Sequence, residues 1–436
     1  MNRIAAAVAG LLLACAGTSE TFAATYNVPA DYATIQAAID VASDGDTILV
    51  APGTYTSPAN VNGVIQTNGK AISIMATGAV DQTFINARGN GSGVRCLSGE
   101  GPDTMIQGFT IIGCYQSGIR CVDSSPTVIN CIILNNTAGE GGAVYCRNGS
   151  PTFNGCTINS NNALSGGAFW CQDSSNITLD NCTITNNSAN LGGAFYCVNS
   201  SIATITNCTI SANTASNKGG GFFCLKSSGP VLQNCEMKLN TSSDAGGAFY
   251  CFNSSTTILT DCTISNNIAE SAGGLFGPAT LLNSTISFNT AYDGRGGGIS
   301  CTKGQLTITN CTISNNTASD SGGGIYSLSN TPTITDSIIC SNRSDQISGT
   351  WTDNGGNTVS MLCVGVGGAC CTENQTTCIT AVEDDCDVFG GIYMGDGTQC
   401  EDVSCPTICI GDANGDHVVD VDDILATIDH FGATCP

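Results

Sequence analysis

The residues best suited to chemistry lie near the C-terminus, in the stretch GDANGDHVVDVDDILATIDHFG. Counted from Asp412 as position 1, aspartate or asparagine occupies positions 3, 5, 9 and 12, and position 7 can offer a backbone carbonyl. Hard oxygen ligands at this spacing are what Ca²⁺ requires. The expected ligands are Asp412, Asn414, Asp416, Val418, Asp420 and Asp423. The sequence therefore predicts a Ca²⁺ site in this loop.

The loop and the amphipathic helix expected at residues 424–431 resemble one half of a dockerin, an EF-hand-like calcium module of secreted, carbohydrate-associated proteins. The resemblance implies Ca²⁺ as a cofactor, with a cohesin-like protein as an alternative partner. Two features depart from the dockerin pattern: His417 stands where glycine normally makes the turn, and a second half is missing. Cys409 and Cys435 flank the module, and we expect a disulfide between them to clamp it.

A second candidate site is a column of aromatic residues in the middle of the chain. Segments such as AVYC, AFWC and AFYC recur, and the residue before the cysteine is usually aromatic. Strand alternation directs that residue outward, and exposed rings can stack on sugars. We therefore expect a surface that binds polysaccharide or a surface partner, with burial beneath a loop or the C-terminal modules as the alternative. The rings are those of Tyr145, Trp170, Tyr196, Phe223, Tyr250 and Tyr326.

These rings lie on a repeat of 22 to 27 residues that carries two cysteine anchors, the second of which opens segments such as NCTITNNSA. One such repeat cannot bury its own apolar face, so the period indicates a solenoid. The lack of a leucine scaffold and of 3.6-residue periodicity leaves an all-β, parallel β-helix of about ten coils. Ile35, Ala38, Ile39 and Ala42 fall on one helical face, which predicts a short helix that caps the N-terminal end.

A recurring asparagine marks one turn of this solenoid, and stacked amides there can bond from coil to coil. The residues concerned are Asn136, Asn187, Asn213, Asn240, Asn267, Asn289, Asn316 and Asn342.

The stretch TIQAAIDVASDGDTILVAPGTY resembles the opening of the pectate-lyase and pectin-esterase superfamily. The GGAF and NN repeats are similar to those of polymorphic outer membrane proteins, and the two resemblances together cover roughly residues 27–345. They imply a right-handed parallel β-helix solenoid and leave the activity open.

The resemblance also supplies an alternative to a binding protein, namely a pectate-lyase-like polysaccharide lyase. Such an enzyme needs carboxylates that hold Ca²⁺ beside the substrate and an Arg or Lys base. The candidates are Arg95, Arg120 and Arg147, with Asp123 and Asp173. However, the two aspartates share a turn column with asparagines, which a capping role explains. We therefore expect a non-catalytic protein and assign no catalytic residue.

The N-terminus has one basic residue, an apolar run and small residues near Ala23, which predicts a signal peptide over residues 1–23. We expect a secreted or cell-surface protein, with a lipoprotein anchor at Cys15 as the alternative. No later apolar run is long enough to span a membrane. The chain has 12 Lys+Arg against 35 Asp+Glu and a net charge of −23, which excludes nucleic acid as a partner.

Cysteines other than Cys15 are even in number, which suggests disulfides in an exported protein. The two anchors of a coil are cysteines together or replaced together, as at Gly277 with Ser284, so we expect a bridge within each coil. A ladder of buried free thiols is the alternative. The expected pairs are Cys121–Cys131, Cys146–Cys156, Cys171–Cys182, Cys197–Cys208, Cys224–Cys235, Cys251–Cys262 and Cys301–Cys311.

These features divide the chain into four parts. A β-helix domain over residues 24–362 follows the signal peptide, and a cysteine-rich module over 363–408 precedes the dockerin-like module at 409–436. The cysteine-rich module is too poor in apolar residues for a core, so disulfides are expected to hold it, with a zinc site as the alternative.

Overall fold

The computed structural model describes residues 23–57, 62–329 and 331–363, and beyond them the backbone of three short strands. In this part the chain winds into a parallel β-helix, in which strands of successive coils pair in register. We name its sheets 1 to 4 in the order in which one coil meets them. Residues 1–22 of the predicted signal peptide, the predicted calcium loop, and Cys409 and Cys435 lie outside the described residues.

Sheets 1 and 2 run the length of the solenoid. The strands of sheet 1 are Gly63–Gln66, Ser92–Cys96, Ile119–Val122, Val144–Arg147, Phe169–Gln172, Phe195–Val198, Phe222–Leu225, Phe249–Cys251, Leu275–Phe276, Ile299–Cys301, Ile325–Ser327 and Ile347–Ser348. The strands of sheet 2 are Thr25–Val28, Thr47–Val50, Ser73–Ala76, Met105–Gln107, Thr127–Ile129, Thr152–Asn154, Asn176–Asp180, Ile202–Thr206, Gly229–Gln233, Thr257–Thr260, Ala279–Leu282, Leu306–Thr309, Thr333–Thr335 and Thr352–Asp353.

Sheet 3 also follows the whole axis, whereas sheet 4 begins only in the later coils. The strands of sheet 3 are Gly53–Tyr55, Thr83–Asn86, Thr110–Ile112, Ile132–Leu134, Thr157–Asn159, Thr183–Thr185, Thr209–Ser211, Glu236–Lys238, Thr263–Ser265, Thr285–Ser287, Thr312–Ser314, Ile338–Cys340 and Thr358–Ser360. The strands of sheet 4 are Thr137–Glu140, Asn162–Ser165, Ser188–Leu191, Thr214–Lys218, Thr241–Ser242, Ile268–Ala269, Thr290–Ala291 and Thr317–Ala318.

The prediction of about ten coils is slightly low, because sheet 1 contains 12 strands within the described residues. The additional coils lie at the two ends, where Gly63–Gln66 and Ile347–Ser348 lack the cysteine anchor that marks the repeat. Beyond the solenoid, Gly368–Cys371 pairs antiparallel with Cys378–Ala381 and with Ile392–Asp396.

The predicted helical cap is present as the helix Ile35–Val41. Thr34 is its N-cap residue, and the Thr34 side chain accepts a hydrogen bond from the Ala37 amide. Ile35, Ala38 and Ile39 are buried, so the helix covers the first strands with its apolar face. No helical segment of the described residues has the length and hydrophobicity that a membrane span requires.

The core consists of inward columns in which identical or similar residues stack from coil to coil. Phe169, Phe195, Phe222 and Phe249 are fully buried, and their ring centroids follow one another at 4.8, 4.3 and 5.2 Å. Burial of one such side chain contributes about 1.5–3 kcal/mol. The column of apolar residues in sheet 1 therefore faces inward, as the alternation of the sequence predicts.

The asparagine ladder is also confirmed. The Nδ2 atom of Asn213 donates to Oδ1 of Asn240 at 3.0 Å, and Oδ1 of Asn213 accepts from Asn187 at 3.0 Å. Asn161, which the sequence analysis missed, occupies the same column and bonds to Asn136 and Asn187. It follows its anchor cysteine by the same five residues as the others, so a fixed spacing would have found it.

The Gly-Gly pairs of the repeat make the turn from sheet 4 into sheet 1. Gly192 has φ 65°, and a Cβ there would overlap the carbonyl of Phe195. A Cβ on Gly193 would overlap the backbone of the next coil. Glycine is therefore favoured at both positions, although Ala272 takes the first of them, with φ 54°, in a later coil.

The cysteines form two columns. The first cysteine column lies on sheet 1, and its members are Cys96, Cys121, Cys146, Cys171, Cys197, Cys224, Cys251 and Cys301. The second cysteine column lies where sheet 2 leads into sheet 3, and its members are Cys131, Cys156, Cys182, Cys208, Cys235, Cys262 and Cys311.

The predicted disulfides within a coil are wrong, because the partner from the second column carries a free thiol in each pair from Cys131 to Cys311. The reason is that a strand of sheet 2 lies between the two cysteines of a coil and keeps their Cα atoms apart. Between Cys197 and Cys208 lies the strand Ile202–Thr206, whose five residues span about 13 Å. A disulfide requires Cα atoms within about 7 Å. A disulfide does join Cys340 to Cys363, with a Cα–Cα distance of 5.1 Å.

Candidate functional site

The predicted aromatic column lies on the outer face of sheet 1, and its rings stack on one another. Tyr145 pairs in register with Trp170, and their ring centroids are 4.6 Å apart. Tyr196, Phe223 and Tyr250 continue the column with centroid distances of 5.2 and 5.3 Å. The spacing of neighbouring coils, about 4.8 Å, therefore allows rings at the same position of successive coils to stack.

The prediction that these rings are exposed is wrong for most of the column. Tyr145, Trp170 and Phe223 are each 5% exposed, Tyr250 is 9% exposed, and only Tyr196 is half-buried. The stacked rings cover one another's faces, and Arg120 and Arg295 lie over the rings of Tyr145 and Tyr326. Little ring surface is therefore left on which a sugar could stack.

Residues of sheet 4 cover the column from the side. Leu191 packs against the cluster around Phe223 and Tyr250, and Lys218 lies 5.1 Å from the ring centroid of Tyr250. Near the C-terminal end, Arg295 donates to the hydroxyl of Tyr326 at 2.7 Å, and Tyr326 is also buried. The column is therefore part of the packing rather than an open stripe.

Toward the N-terminal end, arginines take the place of rings in the same outer column. Arg95 and Arg120 precede Tyr145 in register. The guanidinium carbon of Arg120 lies 3.7 Å from the ring centroid of Tyr145, a cation–π contact. Arg95 is half-buried, and its Nε is buried without a hydrogen-bond partner. Two guanidinium groups thus lie side by side at the end of the ring stack.

These two arginines have no carboxylate at salt-bridge distance. The ion pairs found among the described residues are Lys218–Asp244, Lys238–Glu236 and Arg295–Asp320. Burial lowers the pKa of Arg95, and the positive charge of Arg120 lowers it further. Among the described residues, two like charges therefore lie together without an ion pair to either of them.

A shallow cleft of ≈ 400 Å³ opens beside Arg120. Tyr115 and Leu164 form exposed rims, at 67% and 71% exposure. The cleft is lined by Tyr115, Gln116, Arg120, Gly139, Glu140, Leu164 and Ser165. A cation, a carboxylate, an aromatic ring, an amide and hydroxyl groups thus converge at one place, which suits a polar ligand.

The residues of the cleft other than Arg120 were not identified from the sequence. Glu140 and Ser165 are neighbours in sheet 4, at the position before the Gly-Gly turn. That position faces the outer column of sheet 1 only because the turn folds the chain back, which no local pattern in the sequence reveals.

The carboxylates considered for lyase chemistry are engaged in turns. Asp123 accepts a hydrogen bond from Asn148 at 2.6 Å, and Asp173 accepts one from Asn199 at 2.9 Å. Both aspartates have positive φ, at 51° and 59°. Arg147 ends its strand with an exposed side chain. The structure therefore brings Arg95 and Arg120 together and places the two aspartates in the amide column of a turn.

The described residues contain no group of three His, Cys, Asp or Glu side chains arranged to hold a metal ion. The predicted Ca²⁺ ligands from Asp412 to Asp423 lie outside those residues, and the calcium site stays a prediction.

Two family models match the chain. The model described as "right handed beta helix region" matches residues 41–170 and 143–276, and that of the Chlamydia polymorphic membrane protein repeat matches residues 310–328. No curated protein matches the chain.

Two solved structures are similar. The A-module of the mannuronan C-5 epimerase AlgE6 of Azotobacter vinelandii is 14% identical, with a TM-score of 0.36. The alignment covers 77% of this chain and 99% of that module. The PL6 family alginate lyase AlyGC is 12% identical, with a TM-score of 0.39, and the alignment covers 89% of this chain and 60% of the lyase. Both scores are low, and the assignment rests on the first family model, which spans more than half of the sequence. The chain belongs to the right-handed β-helix family.

Proposed function

We propose that this protein is a secreted or cell-surface protein that binds acidic polysaccharide without catalysing its conversion. The proposed binding site is the cleft beside Arg95, Arg120 and Tyr145. The observation that carries the proposal is the pair of neighbouring guanidinium groups without a carboxylate partner in the described part of the chain.

Two neighbouring guanidinium groups outnumber the one carboxylate in the lining of the cleft, that of Glu140, and this excess of positive charge favours an anionic ligand. Two adjacent positive charges repel each other, and a carboxylate or sulfate group between them removes that cost. A guanidinium group also offers a planar set of donors that matches a carboxylate in two-point hydrogen bonds. Because the chain carries a net charge of −23, a general attraction to polyanions is absent, and the binding has to be local.

The surroundings of the arginines suit a sugar. The ring of Tyr145 orients the guanidinium plane of Arg120, while Gln116 and Ser165 can bond to hydroxyl groups. The exposed ring of Tyr115 offers an apolar face at the rim of the cleft, which the buried rings of the column cannot offer.

The test is a calorimetric titration of the full chain with polygalacturonate and with neutral dextran. Arg120→Gln keeps hydrogen-bonding capacity but removes the charge, and we expect it to weaken polygalacturonate binding at least about 10-fold, because charge-assisted hydrogen bonds contribute about 1.5–3 kcal/mol. Arg343→Gln, about eight coils away on an exposed site, is the matched control and should leave the Kd unchanged.

Three outcomes would contradict the proposal. Equal affinity for dextran and polygalacturonate would exclude recognition of the anion. An unchanged Kd for Arg120→Gln would place the site elsewhere. Unsaturated sugar products in the same mixture would show catalysis and would favour the lyase alternative.

A further inference from the structure

The first cysteine column brings thiols of neighbouring coils within bonding reach. Cys171 pairs in register with Cys197, and Cys197 pairs with Cys224, all of them fully buried. Neighbouring strands are about 4.8 Å apart, and the Cα atoms of a disulfide are usually about 4.4–6.8 Å apart. A cysteine of this column can therefore reach the cysteine one coil away, although it cannot reach the other cysteine of its own coil.

The thiols of this column interact unequally. Cys96 lies in register with Cys121, and Cys171 lies in register with Cys197. Cys146, which lies between these two pairs, donates instead to the carbonyl of Gly149 at 3.5 Å. The column is thus interrupted at Cys146.

The remaining thiols continue on the C-terminal side of this interruption. Cys224 lies in register with both Cys197 and Cys251, and Gly277 takes the cysteine position in the following coil. Sγ of Cys251 also lies 3.0 Å from Oγ1 of Thr257. With Cys146 set apart, the run from Cys96 to Cys251 divides into three neighbouring pairs.

The solenoid already contains one disulfide between successive coils. Cys340 and Cys363 are 23 residues apart, and their Cα–Cα distance is 5.1 Å. Cys340 lies in register with Ser360 and not with Cys363, so this bridge joins successive coils without joining register partners.

The second cysteine column has a different role, because its side chains belong to a hydrogen-bond ladder with the backbone. Sγ of Cys182 accepts from the amide of Cys156 at 3.4 Å and donates to the carbonyl of Asp180 at 3.3 Å. Ser284 reproduces both bonds in its own coil, accepting from Cys262 at 3.1 Å.

The replacements in the two columns support this division of roles. Ser284 and Ser337 keep a hydroxyl donor in the second column, and a sulfur in a disulfide could not donate in that way. In the first column one replacement, Gly277, has no side chain, and the other is Ser327. The second column therefore keeps a hydrogen-bonding side chain in every coil from Cys131 to Ser337, whereas the first column does not.

We propose that the first cysteine column is a site of disulfide formation between coils. The bridges are Cys96–Cys121, Cys171–Cys197 and Cys224–Cys251, whereas Cys146 and the second column remain thiols. For each bridge, two thiols lose two protons and two electrons to a disulfide oxidant such as oxidised glutathione, which leaves as two thiols.

Because the column is buried in the folded protein, the oxidation has to take place during folding. Every member of the column is fully buried, so a disulfide oxidant in solution cannot reach these thiols once the coils have assembled. Disulfide exchange requires direct contact between the two sulfur atoms, so the folded interior is inert. Oxidation therefore accompanies the assembly of the coils and precedes their burial.

The test is a peptide map of the full chain folded in a glutathione redox buffer, then denatured, alkylated with iodoacetamide and digested without reduction. We expect cross-linked peptides for the three proposed bridges and alkylation of Cys146 and of the second column. Cys171→Ser should remove the Cys171–Cys197 peptide. Cys208→Ser is the matched control in the second column and should leave all three cross-links in place.

Two results would overturn the proposal. One is alkylation of the first column in protein folded with the oxidant, which would establish a permanent thiol ladder. The other is recovery of cross-links within a coil, such as Cys197–Cys208, which would require a different cross-section. Because the map of the unmodified protein alone distinguishes these results, the test does not depend on the folding of either variant.

Discussion

The asparagine ladder offers the sharpest prediction for stability, and Asn213→Ala is the change that tests it. The side chain of Asn213 makes four contacts: it donates to Asn240 Oδ1 and to the Ile184 carbonyl, and it accepts from the amide and from Nδ2 of Asn187, all at 3.0 Å. The neighbouring asparagine side chains keep other partners after truncation. The backbone amide of Asn187 loses its acceptor in the buried interior.

The magnitude follows from these contacts. An orphaned buried donor costs about 1–3 kcal/mol, and each further lost hydrogen bond costs about 0.5–1.5 kcal/mol. Because the other partners are partly compensated, we expect a total of about 3 kcal/mol. Asn162→Ala is the matched control: its Nδ2 bonds only to the exposed Ser188 hydroxyl, at 2.7 Å, and surface changes of this kind usually cost less than about 0.5 kcal/mol.

Hydrogen exchange is the appropriate assay, because a solenoid can open locally at a weakened coil without unfolding as a whole. A loss of about 3 kcal/mol corresponds to roughly 100-fold faster exchange, which mass spectrometry should detect in peptides that contain Asn187. Equal exchange in Asn213→Ala and Asn162→Ala would refute the reasoning, because the ladder would then contribute no more than a surface amide.

Two further predictions concern carboxylates. Burial raises the pKa of the Glu100 carboxyl, but hydrogen bonds from Thr67, Ser98 and Ser124 outweigh this effect and hold the pKa below its ordinary value. Its stabilisation is thus present above the unfolded pKa of about 4.3 and is lost as the pH falls through the lower folded pKa. Glu100→Gln should therefore cost about 1–3 kcal/mol at neutral pH and progressively less in denaturant titrations at lower pH, and a constant difference would contradict this. For the proposed calcium site, Asp412→Ala should abolish Ca²⁺ binding of the full chain in calorimetry, and unchanged binding would exclude this loop as the site.

The periodic part of the fold could be predicted from the sequence because stacking in register repeats the same environment in each coil. The inward position of Phe195 and the ladder position of Asn213 follow from alternation and from a fixed distance to the anchor cysteine. These properties depend on one strand or one turn, and a single coil already contains them.

The properties that were mispredicted depend on how the strands of a coil face one another. Whether Cys197 can reach Cys208 is decided by the cross-section of the solenoid, which the strand Ile202–Thr206 widens. Whether Phe223 is exposed is decided by the next ring and by Leu191 of sheet 4. Neither contact can be recognised in the local sequence, since Cys197 and Phe223 both fit the alternation of sheet 1.

The outer column of sheet 1 explains why recognition can be confined to one end of a uniform solenoid. The inward columns are constrained by the core and the ladder, whereas the outward position changes from Arg95 and Arg120 to Tyr145 and then to further rings. Once rings occupy consecutive coils, each covers the next, and the surface that remains open is the end of the stack. The cation at that end, Arg120, is held by one ring face, lies beside Arg95 and lines the open cleft. An aromatic substitution at Arg120 should therefore extend the packed column by one coil and remove the binding site at the same time.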